Sequence, residues 1–270
     1  MDSPQRTFSD CFVRRDGGLH SVSREVVAEE PLRIVLNGCP IATLMRTPGN
    51  EEELGLGFLL TEGIVRSASE VGAIAFCREG LGSPNELRIT LANGDAVPDT
   101  PAHRMVYSSC SICGTEMIED VASGISPFDR RPARLSAADI YALAERMRAA
   151  QECFRRTGGT HAAAVGVLPL NVDSIVVRED LGRHNALDKA VGAAARQGLD
   201  FSRCLVMLSS RLSFEMVAKA ARAGFSDAAG VSAPSATAIA LARRLDMFLA
   251  GFVRGETMTV YSDPEALASS

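Results

Sequence analysis

Three observations predict an α/β fold. From about residue 135 onward, short apolar runs alternate with helical patterns, in the order strand, helix, strand, helix, strand. The links between the last strands are long enough for a single crossover helix, which favours parallel strands with helices packed on the sheet faces. Before residue 95, β-type runs dominate and enclose one helical pattern. The 270 residues exceed a typical domain of roughly 100–200, so two units are expected. These are a smaller, β-rich α+β region over 1–134 and an α/β unit over 135–270.

The elements follow in order. Leu32-Arg33-Ile34-Val35-Leu36 and Ile41-Ala42-Thr43-Leu44-Met45 flank Asn37-Gly38, a dipeptide that accepts positive φ and so joins two strands in a tight turn. A helix follows Asn50, with Asn50 as its cap, Glu53 closing a capping box, and Leu54, Phe58 and Leu59 on one face. Glu86–Leu91 reads as a strand ended by Asn93-Gly94. From Asp95 to Arg134 Pro, Gly and Ser are frequent and periodicity is weak. Ser136 with Asp139 opens a helix that runs through Ala150. Strands are expected from Thr160 to Leu168 and from Ile175 to Val177, then a helix from His184 to Arg196. The succession continues with strand Cys204–Leu208, helix Phe214–Ala223, strand Ala228–Val231, helix Ser235–Arg244 and strand Phe248–Val253.

Composition excludes several classes. Apolar residues make up 46% and charged ones 23%, as in ordinary globular proteins. A net charge of −5 supplies no bulk attraction to nucleic acid or anionic lipid, so a polyanion needs a local cationic pocket. Neither an apolar signal segment at Met1–Arg6 nor a run of about 20 apolar residues is present, and a cytoplasmic protein without membrane partners is expected. The seven cysteines are therefore expected as thiols. Cys11, Cys39, Cys77, Cys153 and Cys204 stand singly and read as inert, Cys204 as a small buried hydrophobe.

Chemistry concentrates in Tyr107-Ser108-Ser109-Cys110-Ser111-Ile112-Cys113-Gly114. A Cys-x-x-Cys pair can close a disulfide, supply half a zinc site, or hold one activated thiolate beside a second thiol. Zinc needs two further ligands, and no second pair or paired histidine is present, so no structural metal is expected. Strand ends carry the next candidates. Leu208 leads into Ser209-Ser210-Arg211-Leu212-Ser213, Val231 into Ser232-Ala233-Pro234-Ser235-Ala236-Thr237, and Phe252 into Val253-Arg254-Gly255-Glu256-Thr257. Hydroxyls, guanidinium groups and helix N–H groups there suit a nucleotide-like or pterin-phosphate ligand; the plainer reading is that the Ser and Thr residues only cap helices. No Gly-x-x-x-x-Gly-Lys loop is present. In Arg178–Lys189, His184 and Asp188 lie four apart on one helical face, suited to proton transfer or ligand contacts, or else to local ion pairs at a solvated helix start. His161, after Thr157-Gly158-Gly159-Thr160, reads as a hydrogen-bonded histidine at a strand start. His20 and His103 carry no neighbouring chemistry.

With the cysteine pair, the segments Leu56-Gly57-Phe58-Leu59-Leu60-Thr61-Glu62-Gly63-Ile64, Thr160-His161-Ala162-Ala163-Ala164, Glu179-Asp180-Leu181-Gly182-Arg183-His184-Asn185-Ala186-Leu187-Asp188-Lys189 and Ser209-Ser210-Arg211 form a collinear set. From about Glu29 to Ser262 the chain resembles the FdhD family, accessory sulfurtransferases of formate dehydrogenase. The resemblance implies a carrier that accepts persulfide sulfur from a cysteine desulfurase. It would pass the sulfur to the molybdenum cofactor, bis-molybdopterin guanine dinucleotide, before that cofactor enters formate dehydrogenase. It further implies a cytidine-deaminase-like, three-layer C-terminal domain, a homodimer, a persulfide on Cys110 with Cys113 as auxiliary thiol, and cofactor contacts at Phe252, Val253, Arg254, Gly255, Glu256 and Thr257. Ser209, Ser210, Arg211 and His184 join these as cofactor-binding candidates. Some relatives carry Lys-Pro-Gly-Arg where this chain has Arg254-Gly255-Glu256-Thr257, with an acidic residue toward an anionic ligand.

Rival chemistries fit less well. A zinc deaminase needs His-x-Glu ahead of Pro-Cys-x-x-Cys; here Ala162-Ala163 follow His161, Ser109 precedes Cys110, and the order is reversed. A dithiol oxidoreductase of the thioredoxin type places its pair after the first strand and at the start of a helix, whereas this pair lies mid-chain. A binding-only chaperone for the cofactor or for formate dehydrogenase is the alternative from another class.

Overall fold

The computed structural model describes residues 5–77, 85–94, 124–129, 134–171 and 174–268. Strands β1 (Arg6–Arg15) and β2 (Gly18–Val27) form a two-stranded antiparallel hairpin, turned at Asp16 and Gly17 with φ of 51° and 77°. Strands β3 (Glu30–Leu36) and β4 (Cys39–Arg46) are joined as expected through Asn37 and Gly38, with φ of 46° and 82°. β5 (Val71–Cys77) and β6 (Glu86–Leu91) complete a four-stranded sheet in the order β4-β3-β6-β5, in which β3 and β6 run parallel.

Helix α1 (Glu51–Thr61) differs from expectation at its start. Asn50 adopts the left-handed conformation, φ 61°, and makes no side-chain cap bond among the described residues. Glu53 is drawn away to pair with Arg178 at 2.5 and 2.7 Å, so no capping box forms. Nor is α1 amphipathic: every residue from Leu54 to Thr61 is buried, because the helix lies between two layers.

Helices α2 (Ala137–Ala150) and α3 (Glu152–Thr157) precede β7 (His161–Val167), β8 (Val176–Asp180) and α4 (Arg183–Arg196). Then come β9 (Cys204–Leu208), α5 (Phe214–Ala223), β10 (Asp227–Gly230), α6 (Ala236–Arg244), β11 (Phe248–Arg254) and β12 (Thr257–Ser262). Ser136 Oγ accepts from the Asp139 N–H and caps α2 as expected. Six strands form one sheet, ordered β12-β11-β10-β9-β7-β8. The parallel expectation holds for β9, β10 and β11; β7, β8 and β12 are antiparallel to their neighbours, so the sheet is mixed.

Alternation along the strands divides the core. Ala163, Val165, Val206 and Leu208 point to one face, packed with residues of α4 and α5 such as Leu187, Val191, Met216 and Val217. Ala162, Ala164, Leu205 and Met207 point to the other, covered by Ile140, Leu143 and Met147 of α2. Leu32, Ile34 and Leu87 of the four-stranded sheet, with Leu54 and Leu59 of α1, extend the first cluster. Each fully buried leucine adds about 1.5–3 kcal/mol. Among the described residues no helix is long and apolar enough to cross a membrane.

Candidate functional site

Sheet topology gathers the polar strand ends at one edge. Parallel β9, β10 and β11 all finish there, antiparallel β7 starts there at His161, and β8 ends there at Asp180, directly opposite His161. Helices α4, α5 and α6 consequently open toward the same edge, with the partial positive charge of their N-termini. Ser235 caps α6 through the Ala238 N–H, so the plainer reading of that loop holds. Gly182 and Ser213 make no such side-chain bond among the described residues, leaving the starts of α4 and α5 without one.

A cavity of about 690 Å³ opens at this edge, walled by Arg148, Phe154, Arg155, Thr160, His161 and Ser209 among others. Ser209 is fixed to β7 on both sides: its N–H donates to the Ala162 carbonyl at 2.9 Å, and its Oγ accepts from the Ala162 N–H at 2.7 Å. The hydroxyl hydrogen stays free to turn toward a ligand. Burial holds the His161 imidazole below its ordinary 6.5, and the positive charges of Arg183, His184 and Arg211 add to the effect against the opposing Asp180. Positive groups thus converge beside a neutral imidazole.

Glu179 sets the helical wall of this cavity. Its carboxylate accepts the N–H groups of Cys153 and Phe154 at 2.9 Å each and the Thr160 hydroxyl at 2.8 Å. A glutamate on β8 thereby caps α3, whose own flanking residue Gln151 provides no side-chain bond among the described residues.

The Arg178–Lys189 cluster is a docking device more than a solvated helix start. His184 and Asp188 share a face, as expected, yet each meets its own partner on α5. His184 Nε2 lies 3.0 Å from Glu215, while Lys219 Nζ donates to both Asp188 oxygens at 3.0 and 2.9 Å. Among the described residues no hydrogen bond links His184 to Asp188; the two spacings of four residues match across the helix pair as a ladder. Thr61 and Glu62 complete the lower rung, at 2.9 Å each from the same ammonium. Burial lowers the Lys219 amine, but Asp188 and Glu62 outweigh it and hold it above the ordinary 10.5. Asp180, expected beyond its strand, ends β8. It pairs with fully buried Lys189 at 2.7 Å and accepts the N–H groups of Thr47 and Gly182.

The remaining candidates are distributed as follows. Ser210 is buried and donates to the Arg211 carbonyl, whereas Arg211 is exposed. Phe252 is exposed and has φ 53°, and its N–H donates to Ser232 at 3.2 Å, next to the β10 loop. Val253 is a core residue with no exposed surface. Arg254, Gly255, Glu256 and Thr257 form the exposed turn of the β11–β12 hairpin. Cys110 and Cys113 lie outside the described residues, as do Tyr107–Gly114 and His103. Cys204 is buried, as expected, and so is Cys153. Burial pushes the Cys204 thiol up to about 12, and raises that of Cys153. Sequence reasoning missed Arg148, Phe154, Arg155 and the role of Glu179; the Gly158-Gly159 break beside a short helical run was the available signal.

The FdhD/NarQ family model matches residues 27–268. The chain is 41% identical over 263 residues to "Sulfur carrier protein FdhD" of Streptomyces avermitilis, covering 94% of this chain and 93% of the relative. Proteins of the same name are similar in Mycobacterium tuberculosis, 40% over 251 residues with 88% and 89% covered, and in Anaeromyxobacter dehalogenans, 37% over 282 residues with 98% and 95% covered. A crystal structure from Desulfotalea psychrophila, described as a formate dehydrogenase accessory protein, superposes with TM-score 0.77 at 26% identity, covering 98% of this chain and all of the other.

Proposed function

The chain belongs to the FdhD/NarQ family, and from that membership we propose that it is a sulfur carrier for formate dehydrogenase. It takes persulfide sulfur from a cysteine desulfurase onto Cys110 and hands it, in the cytoplasm, to bis-molybdopterin guanine dinucleotide before that cofactor enters the dehydrogenase. The Cys110 thiolate attacks the outer sulfur of the donor persulfide, the donor S–S bond breaks, and the donor cysteine leaves as thiolate. No net oxidation accompanies this step. Cys113 is the auxiliary thiol.

The observation that carries the cofactor half of the proposal is the cationic sheet edge. Phosphates of a guanine dinucleotide need several donors in one place, and Arg148, Arg155 and Ser209 line the cavity at the sheet edge toward which α4 and α5 open. His161 sits among them uncharged, as a hydrogen-bonding group. Ser210, Arg211, His184 and the Phe252–Thr257 hairpin border the same edge.

Incubation with a desulfurase and cysteine, then peptide mass spectrometry, tests the sulfur half: a mass gain of one sulfur is expected on Cys110 and absent in Cys110→Ala. If Cys110→Ala still matures formate dehydrogenase in cells while Arg211→Ala does not, the protein is a binding-only chaperone and the carrier reading fails.

A further inference from the structure

Strand β5 is a sheet edge without the residues that usually keep an edge from pairing. The order β4-β3-β6-β5 leaves it bonded to β6 alone among the described residues, so its outer side offers N–H and C=O groups to a further strand. Its seven residues, Val71-Gly72-Ala73-Ile74-Ala75-Phe76-Cys77, include no charge and no proline. The opposite edge of the same sheet, β4, carries Pro40 and ends on Arg46. A bare apolar edge is a template for strand addition.

Side-chain alternation gives this strand two faces. Ala73 and Ala75 are exposed, while Ile74 and Phe76 pack against the core that includes α1 and are only partly buried. Two cavities open between the strand and the helices that cover it. One, of about 450 Å³, lies between Val71 and Ile74 of the strand and Leu56, Ala68 and Ala195. The other, of about 380 Å³, lies between Phe76 and the first turn of α1, Glu51, Glu52 and Glu53. They share Glu52 and Arg196, an ion pair half open to solvent. No residue of either lines the cofactor cavity. Charge separates the two. Apart from Ser69 and the shared pair, the first has apolar walls. The second sets three carboxylates against one guanidinium, since Arg46 and Arg178, which pair with Glu51 and Glu53, do not line it.

A strand laid along β5 drops alternate side chains, roughly 7 Å apart, toward the two cavities. We propose that β5 binds an extended segment of a partner protein by strand addition, with a Lys or Arg of that segment in the acidic cavity at Phe76 and a branched aliphatic residue in the apolar cavity at Ile74. Antiparallel pairing, the more stable kind, presents the basic residue first and the aliphatic one two residues later. Main-chain bonds supply affinity and the two cavities supply selectivity. The proposal goes beyond the sulfur-carrier reading and stands without it, because the edge and the cofactor cavity have no residue in common.

A short fluorescent peptide of Thr and Val, with one Lys two residues before its central Val, tests this against the full chain, beside the same peptide with Glu in place of Lys. Anisotropy is expected to show saturable binding of the Lys peptide and on the order of tenfold weaker binding of the Glu peptide. Hydrogen exchange should slow at β5 when the Lys peptide binds. Glu52→Lys reverses the preference, and Ile74→Asp abolishes binding of both with unchanged circular dichroism. The proposal is overturned if neither peptide binds, if binding leaves exchange at β5 unaltered, or if Glu52→Lys keeps the wild-type preference. Protection of β5 that rises with protein concentration before any peptide is added overturns it too, since a second copy of this chain then covers the edge.

Discussion

Gly57 of α1 and Gly192 of α4 face each other where the two helices cross. A β-carbon on Gly57 would lie 1.7 Å from the carbonyl oxygen of Asp188, and one on Gly192 would lie 1.8 Å from that of Glu53. The obstacle in both cases is backbone, which cannot rotate aside. The same contact aligns Glu53 with Arg178 and brings Thr61 within 2.7 Å of Asp188.

Gly57→Ala and Gly192→Ala are therefore expected to cost about 3 kcal/mol or more, the upper range for overpacking. Gly124→Ala, with open space around it, should change stability by no more than about 0.5 kcal/mol. Urea unfolding measures all three; a Gly192→Ala protein as stable as wild type would contradict the crossing.

Glu215 predicts an acid dependence. Its hydrogen bond to His184, helped by the charges of His184 and Arg183, holds the carboxyl below its ordinary 4.5 despite partial burial. A depressed carboxylate stabilises the fold above 4.5, and that stabilisation disappears as pH falls through the folded value. Glu215→Gln should accordingly be less stable than wild type near neutrality, with the gap closing in acid. Denaturation at a series of pH values checks this, and a gap that is constant with pH would count against the pairing.

His161 should titrate below 6.5 when followed by NMR, and both Arg183→Gln and Arg211→Gln should move it upward. The native state refuses the proton that the unfolded chain accepts, so stability declines as pH drops through 6.5 and levels off below the folded value. An anion seated among the arginines would likewise raise the midpoint. A midpoint unmoved by either substitution would show that the positive groups do not converge there.

Glu179→Gln should loosen the cavity wall. A glutamine amide turned toward the Cys153 N–H donates where an acceptor is needed, and loss of a helix cap costs about 1 kcal/mol. Faster hydrogen exchange at Cys153 and Phe154 is expected, with weaker binding of guanosine diphosphate as a fragment of the cofactor. Unaltered exchange at both amides would refute the capping role.

How much of this was legible depended on whether a residue's partner lay nearby in sequence. Cys204–Leu208 announced itself because a strand covered on both faces is wholly apolar, and Asn37-Gly38 because its turn demands positive φ. The hairpin β1–β2 escaped notice because Ser9, Asp10, Arg14 and Arg15 break the alternation on a sheet with two exposed faces. β8 was read too short, since Glu179 and Asp180 become strand residues only when donors from α3 and from Thr47 satisfy them. At the site, Ser209 and His184 were visible from the strand-to-helix pattern. Arg155 was not, because the six-residue α3 is too short to show a period, and Arg148 was not, because it looks like any exposed charge in the last turn of α2 until the fold brings that turn beside the sheet edge.

One loop explains why the two sheets must be made together. The end of β4 and the residue after it share four bonds with the end of β8 and with α4: the Thr47 N–H donates to Asp180, the Thr47 carbonyl accepts from Lys189, the Thr47 hydroxyl oxygen accepts from the Leu181 N–H, and the Met45 carbonyl accepts from Asn185. A fragment beginning near Ala137 would keep its strands but lose all four, leaving an interior lysine and aspartate with only part of their solvation replaced. Ribosomal synthesis therefore finishes the anchoring loop long before the groups it secures, and the ligand-holding edge can set only after the last strands emerge.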